Sequence, residues 1–298
     1  MKIAYLMQCH KSPQQINLLV DMLSGDNCDV YIHIDKKSKN LETDLINLPN
    51  VFILGEEERV DVKWGQISQV DATLKLIEAV LKTGCEYDYV WLISGQDMPL
   101  KSHEQICKYI SDSNGAAFMD VLDTSSRRYK RLLKRNEVYT AQWSIKKGFF
   151  YRIIRNAWYI LTGGRYHTFK VFRRKIDNDK FYFGSQWWCL PYDAVKQIND
   201  YLNGNADFYK FFSRCHCPDE SFFQTVLLNH TTYRENVKPM PIYVNWGEDN
   251  NSPEIFVMDD REKIDKLIES NQYLIARKFD YTIDKDIIDY VKNFSLKV

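Results

Sequence analysis

No stretch of this chain is apolar for long enough to cross a bilayer as a helix, which takes about 20 such residues. The start, Met1-Lys2-Ile3-Ala4-Tyr5-Leu6-Met7-Gln8-Cys9-His10, is one short apolar run that turns polar. It lacks the length and the small-residue cleavage site of a secretory leader. The expectation is a cytoplasmic protein, soluble or peripheral on the inner face of the membrane. Net charge is lacking too. Lys and Arg number 40 and Asp and Glu number 40, so no nucleic-acid partner is expected, since such binders are basic overall. The seven cysteines are odd in number, and a chain this large does not need a disulfide framework. Cys215-His216-Cys217 is their only cluster. A zinc site would want a second ligand pair at matching spacing, and none is evident. Internal repeats, low-complexity tracts and clear linkers are absent as well.

What is present is apolar mass, 45% of residues, with aromatics at 14%. That suffices for one large domain or two small ones. Short apolar runs alternate with helical patterns in the first part. Residues 2–9, 29–35, 51–54, 89–94 and 116–120 read as strands, being rich in β-branched and aromatic residues. The continuous run Tyr89-Val90-Trp91-Leu92-Ile93-Ser94 suits a strand covered on both faces. Residues 13–23, 66–81 and 104–110 read as helices; Ile67, Val70, Leu74, Ile77 and Leu81 recur at a 3.6-type spacing. This alternation implies a mostly parallel sheet with helices on both faces. Further on, 181–191 and 241–245 read as strands, and 193–202, 219–228, 261–270 and 285–294 as helices.

Residues 127–175 differ in character. They hold fifteen Lys and Arg against one acid, Glu137, an excess of fourteen that the rest of the chain balances with the opposite sign. Trp143, Phe149, Phe150, Tyr151, Ile153, Ile154, Trp158, Tyr159, Ile160 and Leu161 interleave with the charges. Basic amphipathic segments bind anionic membrane surfaces, so this stretch is a candidate membrane contact, with a structural or acceptor-binding role as the alternative.

In a parallel sheet, ligands bind beyond the carboxyl ends of the strands. Three polar clusters fall there: Gln8-Cys9-His10, His33-Ile34-Asp35-Lys36 and Ser94-Gly95-Gln96-Asp97. Acids after strands are also common turn formers, but three on one rim point to a polar-floored crevice. In Cys217-Pro218-Asp219-Glu220, Pro stands at a helix start. The two acids can complement the helix dipole, or one can serve as general base. Arg277-Lys278 reads as a solvated surface pair or as a phosphate clamp. Asp177-Asn178-Asp179 and Asp284-Lys285-Asp286 read as structural, one in a charged turn and one at a helix start.

Six pieces, in order and spacing over most of the chain, carry a resemblance: His33-Ile34-Asp35, Trp64-Gly65, Ser94-Gly95-Gln96-Asp97-Met98-Pro99-Leu100, Gly184-Ser185-Gln186-Trp187, Pro218-Asp219-Glu220 and Arg277-Lys278-Phe279-Asp280. The set resembles the core-2/I-branching β-1,6-N-acetylglucosaminyltransferase family, which also includes the peptide O-xylosyltransferases. The shortness and the lack of an anchor resemble a bacterial member. The resemblance implies an α/β fold of GT-A type, a Rossmann-like mixed sheet flanked by helices. It implies a single catalytic domain over 1–298, with the basic aromatic insertion at about 127–175. It implies an inverting transferase that moves a sugar, N-acetylglucosamine first, from a UDP-sugar to a hydroxyl of a saccharide or lipid-linked oligosaccharide. No metal and no cofactor beyond the donor substrate is expected, and the setting would be surface polysaccharide or glycoconjugate synthesis.

Carried over by position, Glu220 would be the base and Lys278 would sit on the diphosphate. Asp35 matches a position near the uridine or ribose, and Gly184 and Ser185 match a strand lining donor and acceptor. His10, Trp64, Gly95 and Asp97 complete the expected donor site. Many sugar-nucleotide transferases place two aspartates one residue apart after this strand to hold a cation; here only Asp97 is present. The family's second phosphate-binding arginine is also missing from 238–246, leaving Lys238, Arg234 or Arg277 as substitutes. Rival expectations are a donor such as UDP-glucose, UDP-galactose or UDP-xylose, or a non-catalytic nucleotide-sugar-binding protein. A nucleotidyltransferase would show a Gly-rich basic loop where this chain has Gln8-Cys9-His10-Lys11-Ser12.

Overall fold

A computed structural model describes residues 1–25, 27–138, 148–161, 174–176, 179–247 and 252–295. The first strand, β1 (Ile3–Cys9), leads through α1 (Pro13–Leu23) to β2 (Cys28–Ile34) and then to β3 (Val51–Ile53). Helix α2 (Ser68–Lys82) brings the chain back to β4 (Tyr89–Ser94), on the other side of β1. These four strands run parallel, and Gln8 of β1 lies beside His33 of β2 and Ser94 of β4. The polar ends of three neighbouring strands therefore share one rim. The winding reverses between β1 and β4, the place where open α/β sheets bind ligands.

Beyond β4 the chain forms β5 (Asp97–Pro99), α3 (His103–Ser111), β6 (Ala117–Met119), α4 (Arg127–Glu137) and α5 (Phe149–Leu161). It continues through β7 (Trp188–Pro191), α6 (Tyr192–Gly204), α7 (Ala206–Phe212), α8 (Phe222–His230) and β8 (Val237–Lys238). The last elements are β9 (Ile242–Val244), α9 (Arg261–Glu269), β10 (Ile275–Arg277) and α10 (Lys285–Ser295). The main sheet has the order β3-β2-β1-β4-β7-β6-β8, and a small sheet has the order β5-β10-β9. Strand β7 runs antiparallel to both β4 and β6. The sheet is mixed, as the GT-A expectation has it, and still mostly parallel, since β6 and β8 run with the first four strands and only β7 opposes them.

Side chains alternate across each strand. Ile3, Tyr5 and Met7 of β1 pack with Ile16, Leu19 and Val20 of α1 and Ile106 of α3. Ala4 and Leu6 face the opposite way, with Leu76 and Val80 of α2, Val195 of α6 and Phe222 of α8. A third cluster joins the small sheet to α9 and α10 through Met98, Phe256, Ile264, Phe279 and Ile288.

Two expected elements are cut short for a reason that bears on the site. Residues 181–187 are extended but pair with loops rather than a strand. Leu122 N–H donates to the Phe183 carbonyl (2.8 Å), and Gly184 N–H donates to the Glu220 carbonyl (2.9 Å). The expected helix 219–228 is broken as well. Pro218–Glu220 form a single 3-10 turn, and α8 starts only at Phe222. Between them Ser221 leaves helical geometry, and its hydroxyl donates to the Tyr182 carbonyl (2.8 Å). The basic run contributes α4 and α5, which the periodicity reading does not name; Trp143 and the rest of 139–147 and 162–173 lie outside the described residues, as do Asp177 and Asn178.

Candidate active site

An open cleft of about 1010 Å³ lies between the ends of the main sheet and the small sheet. Trp64, Gly184, Ser185 and Glu220 line it, and so do Arg234, Lys238 and Arg277. The motifs meet there for steric reasons. A Cβ at Gly184 would fall 1.8 Å from the Asp120 carbonyl oxygen, so only glycine lets this segment cross the end of β6. Gly65 adopts φ +70°, and a Cβ there would meet the His216 ring at 2.9 Å. Its carbonyl accepts the Cys217 N–H (2.9 Å), while the Trp64 ring stands edge-on to His216 at 5.7 Å. The Trp64-Gly65 turn is thereby fastened to the Cys217–Glu220 segment, and Trp64 itself remains 74% exposed.

Glu220 Oε2 lies 2.9 Å from the Arg135 guanidinium, which is itself buried and also donates to the Cys217 carbonyl (3.4 Å). Among the described residues Oε1 has no hydrogen-bond partner, so one carboxylate oxygen is fixed and the other is available. Asp219 points inward. Burial, reinforced by the Glu220 charge, pushes its carboxyl up to about 7. The adjacent acids thus have different surroundings: both border the cleft, Asp219 buried in its wall and Glu220 half-buried.

The cationic side of the cleft is built on a strand pair. Arg277 of β10 sits opposite Asp97 of β5 in antiparallel register, with Nε 3.5 Å from Oδ1. Oδ2 of Asp97 accepts the Ser94 N–H (2.8 Å). The guanidinium lies 4.3 Å over the Trp187 ring, and Nε and Nη1 have no hydrogen-bond partner. Buried donors without partners inside a cleft wall are suited to an anionic ligand. The surface-pair reading of Arg277-Lys278 does not hold, because Arg277 is 7% exposed. Burial, followed by the Arg277 and Lys11 charges, lowers the Lys278 pKa.

The other expected residues gather on the β1–β2–β4 rim rather than in the cleft lining. Burial first, then Lys11 and Lys278, depress the His10 pKa. Asp35 is buried; its carboxylate accepts the Lys37 N–H (3.0 Å), and Lys37 Nζ stands 3.4 Å away. Lys11 is bonded to Asp280, whose Oδ1 also accepts the Thr282 hydroxyl (2.7 Å). Gly95 permits the turn after β4, since a Cβ would come within 2.9 Å of the Cys9 Cβ. Rim and cleft are joined by amides. Gln186 donates to Gln8 Oε1 (3.0 Å), Gln69 donates to Gln186 (3.3 Å), and Gln8 donates to Thr73 (2.8 Å). Asp284 and Asp179 prove structural: Asp284 caps α10 through the Asp286 and Ile287 N–H groups, and Asp179 pairs with His230 at 2.8 Å.

Among the described residues no group of three or more His, Cys, Asp or Glu could hold a metal ion. Asp97, the acid placed after β4, faces the Arg277 guanidinium. Sequence reasoning gave no role to Arg135, which no spacing distinguishes within a run of cations, or to Trp187, Gln8 and Gln186, which it named within motifs but whose contacts depend on the fold.

The chain spans less than half the length of the curated relatives it matches. It is 24% identical over 232 residues to the mouse β-1,3-galactosyl-O-glycosyl-glycoprotein β-1,6-N-acetylglucosaminyltransferase 4, covering 76% of this chain and 46% of that one. It is 24% identical over 318 residues to the xylosyltransferase oxt of Drosophila pseudoobscura pseudoobscura, covering 96% of this chain and 32% of that one. Distant structural likenesses include the bifunctional glycosyltransferase WbbM (TM-score 0.44, 12% identity, 99% of this chain and 51% of that one). Another is mouse xyloside xylosyltransferase 1 (TM-score 0.39, 11% identity, 93% of this chain and 97% of that one). The profile of the Core-2/I-Branching enzyme family matches residues 3–266, from the first strand into α9. On that match the chain belongs to the Core-2/I-branching enzyme family.

Proposed function

We propose that the protein is an inverting glycosyltransferase that moves a sugar, N-acetylglucosamine first and xylose second, from a UDP-sugar to a hydroxyl of a saccharide or lipid-linked oligosaccharide. One observation carries the reading. A carboxylate with one open oxygen, Glu220, and a buried guanidinium with unpaired donors, Arg277, line the same cleft. Single displacement needs both. The acceptor oxygen forms a bond to the anomeric carbon as the bond to the diphosphate oxygen breaks. The acceptor proton passes to Glu220 Oε1, and UDP departs with the bonding pair. Fixed cations lower the barrier because they act more strongly on the departing phosphate than on the bound donor. Arg277 fills the place of the family's missing arginine, with Lys278 beside it and Lys238 and Arg234 across the cleft. Asp35 and His10 on the rim would take the uridine and ribose. The setting is surface polysaccharide or glycoconjugate synthesis.

UDP release from a panel of UDP-sugars, with oligosaccharide acceptors and with or without a chelator, tests this. Turnover with UDP-N-acetylglucosamine or UDP-xylose, unchanged by chelation, is expected. Loss of turnover on chelation would overturn the metal-free mechanism, and turnover with no sugar nucleotide would overturn the transferase reading.

A further inference from the structure

Helix α5 (Phe149–Leu161) has no buried residue. Its apolar side chains occupy one half of its circumference. Phe149, Phe150, Ile153, Ile154, Trp158, Ile160 and Leu161 fall within about 180° at 100° per residue, and Arg152, Arg155, Asn156 and Tyr159 hold the other half. Phe149, Phe150, Ile160 and Leu161 are 68–80% exposed. An apolar face this open marks a contact surface. The preceding helix in the chain, α4 (Arg127–Glu137), leaves Arg127, Arg128, Lys130, Arg131 and Lys134 exposed. Arg128 also lines the cleft, and Arg135 of the same helix holds Glu220.

We infer that α4 and α5 dock on the surface of an anionic bilayer, with α5 lying in the headgroup plane and its apolar half among the acyl chains. Charge complementarity selects the occupant. Arg127, Arg128, Lys130, Arg131 and Lys134 of α4 and Arg152 of α5 are exposed cations, and the inner leaflets of membranes are anionic. The apolar half excludes a purely polar polyanion, which would leave the exposed phenylalanines in water. The composition, with bulky apolar residues opposite arginines, is that of an interfacial helix and not of a spanning one; no described helix is long and apolar enough to cross a membrane. Docking through α4 would bring the cleft to the bilayer plane. That deepens the proposed function, on which this point rests, by making the acceptor membrane-held.

Co-sedimentation of the full chain with vesicles tests the inference without donor or acceptor, so its failure is separable from failure of the transferase reading. Vesicles of phosphatidylcholine alone are compared with vesicles containing phosphatidylglycerol. Binding to the anionic vesicles only, weakened by salt, is expected. Arg127→Glu with Arg131→Glu should reduce partitioning at least tenfold, since each cation near such a surface contributes roughly fivefold. Phe150→Asp with Ile154→Asp should abolish it. Both pairs are exposed, so thermal melting should stay within a few degrees of the unsubstituted protein. Absence of binding to anionic vesicles, equal binding to neutral ones, or binding that survives both pairs in folded protein would overturn the inference.

Discussion

Arg135 Nη2 lies 2.9 Å from Glu220 Oε2, so the carboxylate facing the cleft is held by an arginine of α4, the first helix of the basic stretch. The contact fixes the carboxylate rotamer and leaves Oε1 toward the cleft. Replacing Arg135 by Met should lower kcat at least tenfold with donor KM changed less than threefold, because orientation and not donor binding is lost. Arg135→Lys should recover part of kcat by restoring the charge without the planar fork. A parallel rise in KM, or no recovery with lysine, would assign Arg135 to folding alone.

Glu220→Gln keeps the shape and removes the proton acceptor. Base catalysis contributes on the order of a hundredfold to ten-thousandfold, so turnover should fall by at least a hundredfold. UDP affinity by calorimetry should move less than threefold, since the proposed diphosphate ligands are Arg277 and Lys278. Unchanged turnover would remove Glu220 from the chemistry.

The parallel half of the fold is legible in the sequence because its strands are buried on both faces and read as apolar runs. Gln8, His33 and Ser94 could be placed on one rim from strand ends alone. The small sheet could not: β5 and β10 are three residues each, shorter than any periodic signal, and their pairing joins positions far apart in the chain. The Asp97–Arg277 contact is therefore invisible before folding. From its own surroundings in the sequence Glu220 is one of two adjacent acids, and only the resemblance singles it out; the physical difference from Asp219 is burial, which depends on the break at Ser221.

The Asp97–Arg277 pair makes a stability prediction. Asp97 is fully buried and Arg277 nearly so, and burial pushes the Asp97 pKa up against the pull of Arg277. Arg277→Met leaves the carboxylate uncompensated and should cost about 3–5 kcal/mol in urea unfolding at neutral pH. Asp97→Asn with Arg277→Met removes the orphaned charge and should recover at least about half of that. A double variant as unstable as Arg277→Met alone would show that Arg277 stabilises through its stacking on Trp187. UDP affinity should be lost in both variants.

Asp219 should make stability fall with rising pH. Its folded pKa is raised to about 7 from an ordinary 3.8, with burial as the main cause. Between those values the folded chain holds a proton that the unfolded chain has released. Stability from this group is therefore complete below about 3.8, declines as pH climbs to about 7, and stays low above it. Oδ1 has no hydrogen-bond partner, and the Asp219 backbone N–H and the Arg135 charge offset only part of the cost of ionisation. Asp219→Asn, neutral throughout, should match the unsubstituted protein in acid and exceed it by more than about 1 kcal/mol above pH 7. Urea unfolding of both proteins across that range measures the difference directly. A variant less stable than the parent above pH 7 would mean that the ionised carboxylate is held by Arg135, and that Asp219 and Glu220 share that cation.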